Sequence, residues 1–237
     1  MPTKLRWLAF LGFKMLPDTV SCRVAICFSG HARSFMHAHV RERTKERLVE
    51  SLECKTVDVF FYLAIEESIR SATRREWDTF ARPPAFTVEA VRTAMLEFNP
   101  IAIVLHQGEA RIIPNGCSED SAPSVAFSQH YKTAACFGLV EASERKKNER
   151  LPLARHSYYD WIVRARPDLA WVVPIVPIGY FRSDRVYLPG HFWPIGDMFA
   201  LVPRHLANLF FRAIDTFYDC TTRCATSQSF FLTHAIG

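Results

Sequence analysis

Glycine is scarce in this chain, with 9 residues in 237. That scarcity excludes Gly-rich repeats, and neither G-x-G-x-x-G nor a Walker loop occurs. Cysteine is limited to seven residues with no C-x-x-C pair. Cys220-x-x-x-Cys224 has no second pair at zinc spacing. The cysteines therefore read as buried or scattered thiols, with a Cys220–Cys224 disulfide as the alternative in a lumenal chain. The nine histidines form no H-x-x-x-H or H-E-x-x-H pair, which argues against a His-based metal site. No serine or cysteine nucleophile motif is found. Long apolar runs are missing too. The run 7–13 has seven residues and ends at Lys14, whereas a membrane span needs roughly 20. A signal peptide needs a longer apolar core and a small-residue cleavage site. Residues 1–21 are expected to be a peripheral segment, with a weak signal or anchor as the alternative.

What is present describes an ordinary globular chain. Hydrophobic residues make up 49% and charged residues 22%, which excludes intrinsic disorder and coiled-coil architecture. The aromatic content is high, with 19 Phe, 7 Tyr and 5 Trp. A net charge of +5 allows an anionic ligand without demanding nucleic acid. Apolar runs at 23–28, 57–63, 101–105 and 158–164 read as strands, with shorter ones at 186–188 and 198–202. Helical patterns fill 34–53, 66–78, 87–98, 127–150 and 203–218, and Thr87 is a candidate cap. A long polar loop spans 107–124. Strands alternating with helices predict an α/β chain: a single-domain three-layer sandwich over 22–237 with a mostly parallel central sheet.

Three segments carry chemistry. The fourth strand and its exit read Y-D-W-I-V-R-A-R-P-D over 159–168. Arg164, Arg166 and Asp168 alternate, so an extended chain projects them to one side, and Pro167 favours an extended Arg166. Ligands of open α/β sheets lie at the carboxyl ends of strands. Two guanidinium groups suit phosphate, and a carboxylate suits a hard divalent cation. The competing reading is an internal Arg–Asp pair that closes the strand. The first strand exits through Ser29, Gly30 and His31 to Arg33, where Gly30 permits close backbone approach to a ligand. The third segment, 190–201, sets Asp197 at a Gly-marked turn beside Trp193. Asp197 is there either a base or sugar-hydroxyl ligand, or a turn cap.

Together, F-S-G-x-x-R-S-F, D-V-F-F, Q-x-Y-K, Y-D-W-I-V-R-x-R-P-D and G-D-M-F-A-L resemble a family of glycosyltransferase-like proteins with the GT-A fold. The resemblance covers about 23–218. It implies a nucleotide-diphosphate-sugar donor, a glycan or lipid-linked acceptor, and often a divalent metal, Mn²⁺ or Mg²⁺. Asp168 matches the last carboxylate of the family's Asp-x-Asp motif and becomes the candidate metal ligand, while Arg166 replaces the first. Ser29, Gly30, Arg33, Arg164, Arg166, Gln129 and Lys132 become candidate nucleotide and diphosphate contacts. His31 stands where the family pattern has Gln. Asp197, with Asp184 behind it, is the candidate catalytic base, and Trp193 and Trp171 are candidate sugar or acceptor platforms.

A GT-A-like domain that binds nucleotide or glycan without turnover is the alternative function. A nucleic-acid binder is a third option. However, the basic clusters at 41–47 and 145–147 lie on helical patterns with interleaved Glu, as solvated faces do. No nucleic acid is therefore expected as a partner. A cytoplasmic or membrane-peripheral placement is expected, without a transmembrane span, and a Golgi or secretory lumen is the alternative.

Overall fold

The computed structural model describes residues 20–65, 86–107, 124–149, 158–189 and 198–215. The run around 24–28 is fully buried, as an unbroken apolar stretch in the middle of a parallel sheet should be. It belongs to β1 (Val20–His31). β2 (Cys54–Ile65), β3 (Ala102–Gln107), β4 (Trp161–Ala165) and β5 (Phe199–Pro203) complete one sheet in the order β3-β2-β1-β4-β5. β1 pairs in parallel with both β2 and β4, and β2 with β3, while β5 runs antiparallel to β4. The chain is thus α/β with a mostly parallel central sheet, as the alternation of patterns predicts.

Alternate residues of each strand face two separate cores. Val24, Ile26, Phe28, Phe61 and Val163 point to one face. There they meet Phe35, Leu48 and Leu52, together with Val91 and Met95 of α2 (Val88–Leu96). Ala25, Cys27, Phe60 and Ile162 point to the other face, against Cys136, Phe137 and Val140 of α3 (Ser124–Asn148). The phenylalanines supply much of both cores. Phe28 stacks on Phe61 at 5.0 Å, and Phe137 on Phe211 at 4.8 Å.

Thr87 caps α2, its hydroxyl accepting from the Ala90 N–H at 3.1 Å. Asn99, at φ 47°, provides the left-handed residue beyond the helix end, a conformation Asn tolerates. The pattern at 34–53 forms a 3-10 turn and then α1 (Ala38–Thr44), continued by a wider turn to Val49 and a last 3-10 turn to Leu52. The segment after β5 is a 3-10 turn and a short α4 (Ala207–Phe211), less regular than its apolar spacing predicts. At 186–188 there is one bridge, Tyr187 to Leu201, in place of a strand. The helical pattern at 66–78 and the 1–19 part of the peripheral segment lie outside the described residues. No helix among the described residues is long and apolar enough to cross a membrane.

The cysteines depart from the thiol reading. Cys22 is bonded to Cys54 across β1 and β2, and Cys27 of β1 to Cys136 of α3. The parallel register sets Val20 opposite Cys54 and so brings Cys22 beside Cys54 across 32 residues, a pairing that spacing does not reveal. Cys220 and Cys224 lie outside the described residues.

α3 runs antiparallel to β1, so its last turns reach the amino-terminal ends of the strands. There Glu144, 4% exposed, accepts from the Tyr159 N–H at 3.2 Å and from Arg204 Nε at 2.8 Å and Nη2 at 2.7 Å. Lys147 pairs with Asp58, whose carboxylate also accepts from the Tyr159 hydroxyl at 2.7 Å. Burial, then the hydrogen bond to Asp58, pushes the Tyr159 phenol well above its ordinary range. Arg41, in the other basic cluster, is held by Glu97 and by the carbonyls of Phe35 and Met36. Both clusters thus contribute cations to internal pairs.

Candidate functional site

β2 and β3 succeed β1 on one side, and the chain then crosses through α3 to place β4 on β1's other side. The strand order therefore reverses between β1 and β4, and the carboxyl ends of those strands flank the crevice in which open α/β sheets bind ligands. The start of α3 lies over the same end of the sheet. Three elements thus deliver side chains to one place: the exit of β1, the exit of β4 and the first half of α3.

On the α3 face, Arg164 follows the parity of Ile162 and is 3% exposed. Its Nε donates to the Thr133 hydroxyl at 3.0 Å. Thr133 donates its single hydroxyl proton to the Gln129 carbonyl at 3.0 Å. Ser29, 3.4 Å from the same oxygen, is then the donor in its own contact with Thr133. One residue before Thr133, buried Lys132 sits with Nζ 3.0 Å from His31 Nε2. An ammonium can only donate, so in this contact the His31 Nε2 is the acceptor.

At the strand exits, Gly30 adopts φ +145°, and a Cβ there would meet Pro167 Cδ at 3.4 Å. The positive φ requires glycine, while the approach to Pro167 is an ordinary packing distance. Arg166 clasps Asp168 with two bonds, Nε to Oδ1 at 2.9 Å and Nη2 to Oδ2 at 2.6 Å. Arg33 approaches the same carboxylate at 4.0 Å. Ser34 Oγ donates to the Asp168 carbonyl at 2.9 Å. The turn after β4 is thereby strapped to the turn after β1.

This arrangement corrects the expected side-chain fan. Arg164, Arg166 and Asp168 do not project together, because β4 ends at Ala165 and the chain turns at Pro167 and Asp168. Arg164 passes under α3, while Asp168 folds back onto Arg166. The donor set at Asp168 does not fit a divalent cation. Its carboxylate is already bidentate to one guanidinium and near a second. Its neighbours Arg33 and Arg166 would repel a metal, and hard cations require several oxygen ligands. No group of three His, Cys, Asp or Glu side chains among the described residues is placed to hold a metal.

The remaining candidates are placed as follows. Asp184 is exposed between Arg185 and Arg182, whose hydrogen bonds hold its carboxyl well below the usual carboxylate range. A carboxylate with so little proton affinity is a weak general base. Trp171 meets Phe199 edge-to-face at 5.3 Å and packs on the core of the α2 face, so part of its ring is committed to packing. Asp197 and Trp193 lie outside the described residues.

Sequence reasoning overlooked Thr133, which links Ser29, Gln129 and Arg164. A signal existed. Residues 133, 136, 137, 140 and 144 form one helical stripe, and Thr133 is a polar residue on its buried side beside Cys136 and Phe137. A second group, Tyr62, His106 and Tyr131, lies at the carboxyl ends of β2 and β3. Tyr62 is 5.2 Å from the His106 ring and 6.3 Å from Tyr131. Burial, then hydrogen bonding and charge interaction with Tyr131, pushes the Tyr62 phenol from 10.0 up to about 12. The folded state therefore holds this proton more tightly than the unfolded chain. The corresponding stability is complete below pH 10.0 and is lost as pH rises toward about 12. Denaturation measured across that interval should show the decline, and Tyr62→Phe should lessen it, the raised Tyr159 phenol contributing the rest.

No protein-family model matches the chain, and no curated protein matches it.

Proposed function

We propose that the chain is a glycosyltransferase of GT-A type that takes a sugar from a nucleoside-diphosphate donor bound at the carboxyl ends of β1 and β4. The observation that carries this reading is the placement of two pairs of cations at the end of the sheet where the strand order reverses, Lys132 and Arg164 on the α3 side and Arg33 and Arg166 at the strand exits. In the proposed reaction a hydroxyl of a glycan or lipid-linked acceptor attacks the anomeric carbon. The bond from that carbon to the diphosphate breaks, and the nucleoside diphosphate leaves with the electron pair. Fixed cations aimed at the leaving oxygens stabilise the charge as it develops. The acceptor proton passes to a carboxylate, for which Asp197 is the candidate.

A second reading is a GT-A-like domain that binds nucleotide without turnover, supported by the engagement of both Asp168 and Asp184 with arginines. Thermal melts with UDP, GDP and CMP separate these readings from a protein without a nucleotide site. A ligand at one hundred times its dissociation constant should stabilise the fold by about 2.7 kcal/mol. We expect one nucleotide to do so. Release of that nucleotide from its sugar conjugate, with an acceptor present, then marks the enzyme. A flat response to all three overturns both readings.

A further inference from the structure

We infer that the donor diphosphate is held by protein cations alone, without a divalent metal, with Asp168 acting as the positioning residue for Arg166. This inference rests on the nucleotide-diphosphate reading above. A metal-bridged diphosphate site needs carboxylates turned toward the phosphates, with room for a cation between them. Here the carboxylate at that position faces a guanidinium through two hydrogen bonds of 2.9 and 2.6 Å, and a second guanidinium lies 4.0 Å away. A metal binding to Asp168 has to displace Arg166 and then sit beside it and Arg33 at short range. A diphosphate bound at this end of the sheet meets the opposite situation. Arg164 and Lys132 are buried at 3% and 2% exposure on the α3 side, and Arg33 and Arg166 stand at the strand exits. The low local dielectric strengthens their attraction for an anion.

The geometry also assigns a division of labour. Thr133 holds Arg164 by its Nε edge at 3.0 Å, and Asp168 holds Arg166 by its Nε and Nη2 edge. Both guanidinium planes are thus fixed before the ligand arrives, which lowers the ordering cost of binding. Asp168 is in this account a support for a cation rather than a ligand for one.

The test is calorimetric titration with UDP and GDP, each in EDTA and in excess Mg²⁺ or Mn²⁺. The protein would be wild type, Arg33→Gln, Arg164→Gln and Asp168→Asn. For whichever nucleotide binds, the dissociation constant should agree within about threefold between EDTA and metal. A charge-assisted hydrogen bond is worth roughly a factor of ten or more in affinity. Arg164→Gln should weaken binding by at least that factor. The exposed Arg33→Gln, which leaves the core untouched, keeps the cation requirement testable if the buried variant does not fold. Asp168→Asn should weaken binding by roughly three- to tenfold, equally in EDTA and in metal. Binding seen with metal but not with EDTA, and lost with metal in Asp168→Asn, overturns the inference while leaving the nucleotide reading intact. No binding of either nucleotide under any condition overturns both.

Discussion

Glu144→Ala should cost about 3–5 kcal/mol of stability, the loss expected when one partner of a buried ion pair is removed. Glu144 is 4% exposed, and its two oxygens are divided between a backbone amide and a guanidinium. Truncation leaves the Tyr159 N–H without its acceptor and the Arg204 guanidinium, 18% exposed, without its carboxylate. Arg204 also lies over the Phe137 ring at 5.3 Å, so the loss extends into the α3 core. Glu144→Gln should cost less, because one amide oxygen still accepts from a donor while the charge attraction is gone. Denaturant midpoints at constant slope give both values. A loss below about 1 kcal/mol for Glu144→Ala would show that water replaces the carboxylate at little cost, as at exposed pairs. Glu144 lies at the amino-terminal end of the strands. Nucleotide affinity per folded molecule should therefore stay unchanged, which separates this latch from the site at the opposite end.

The sheet was readable because burial on both faces leaves an unbroken apolar run, and four such runs became four parallel strands. The place of the candidate site was readable for the same reason: a motif following a strand of this kind falls at a carboxyl end. The details of the motif were not. Alternation predicts one direction for Arg164, Arg166 and Asp168 provided the strand continues, and it stops at Ala165. The Pro167 that favours an extended Arg166 also begins the turn that returns Asp168 to Arg166. Contacts between distant segments were equally hidden. Thr133 meets Arg164 across 31 residues and Ser29 across 104. Each pairing exists because the crossover of α3 brings its first half over the reversal point. A helical stripe identifies Thr133 as buried, but not what it faces.

The Cys27–Cys136 bond joins that fold to that site, and removing it should have the second large effect. It spans 109 residues and ties the central strand to α3. Constraint of the unfolded chain over a loop of this length is worth about 4–5 kcal/mol, and over the 32 residues of Cys22–Cys54 about 3–4 kcal/mol. Bonds of this kind persist in oxidising compartments, so peptide mapping without reductant should recover both pairs from protein made in a secretory host. The two bonds should differ in their consequences. Cys22–Cys54 lies where β1 and β2 begin, and the paired Cys22→Ala and Cys54→Ala changes should lower the melting temperature while leaving nucleotide affinity unchanged. Cys136 is one turn from Lys132 and Thr133, and Cys27 is two residues from Ser29. Cys27→Ala with Cys136→Ala should lower the melting temperature further and also weaken nucleotide binding, because Lys132 and Thr133 would lose their fixed offset from β1. Equal nucleotide affinity in both double variants would show that packing of Phe137 and Val140 holds α3 in place without the bond.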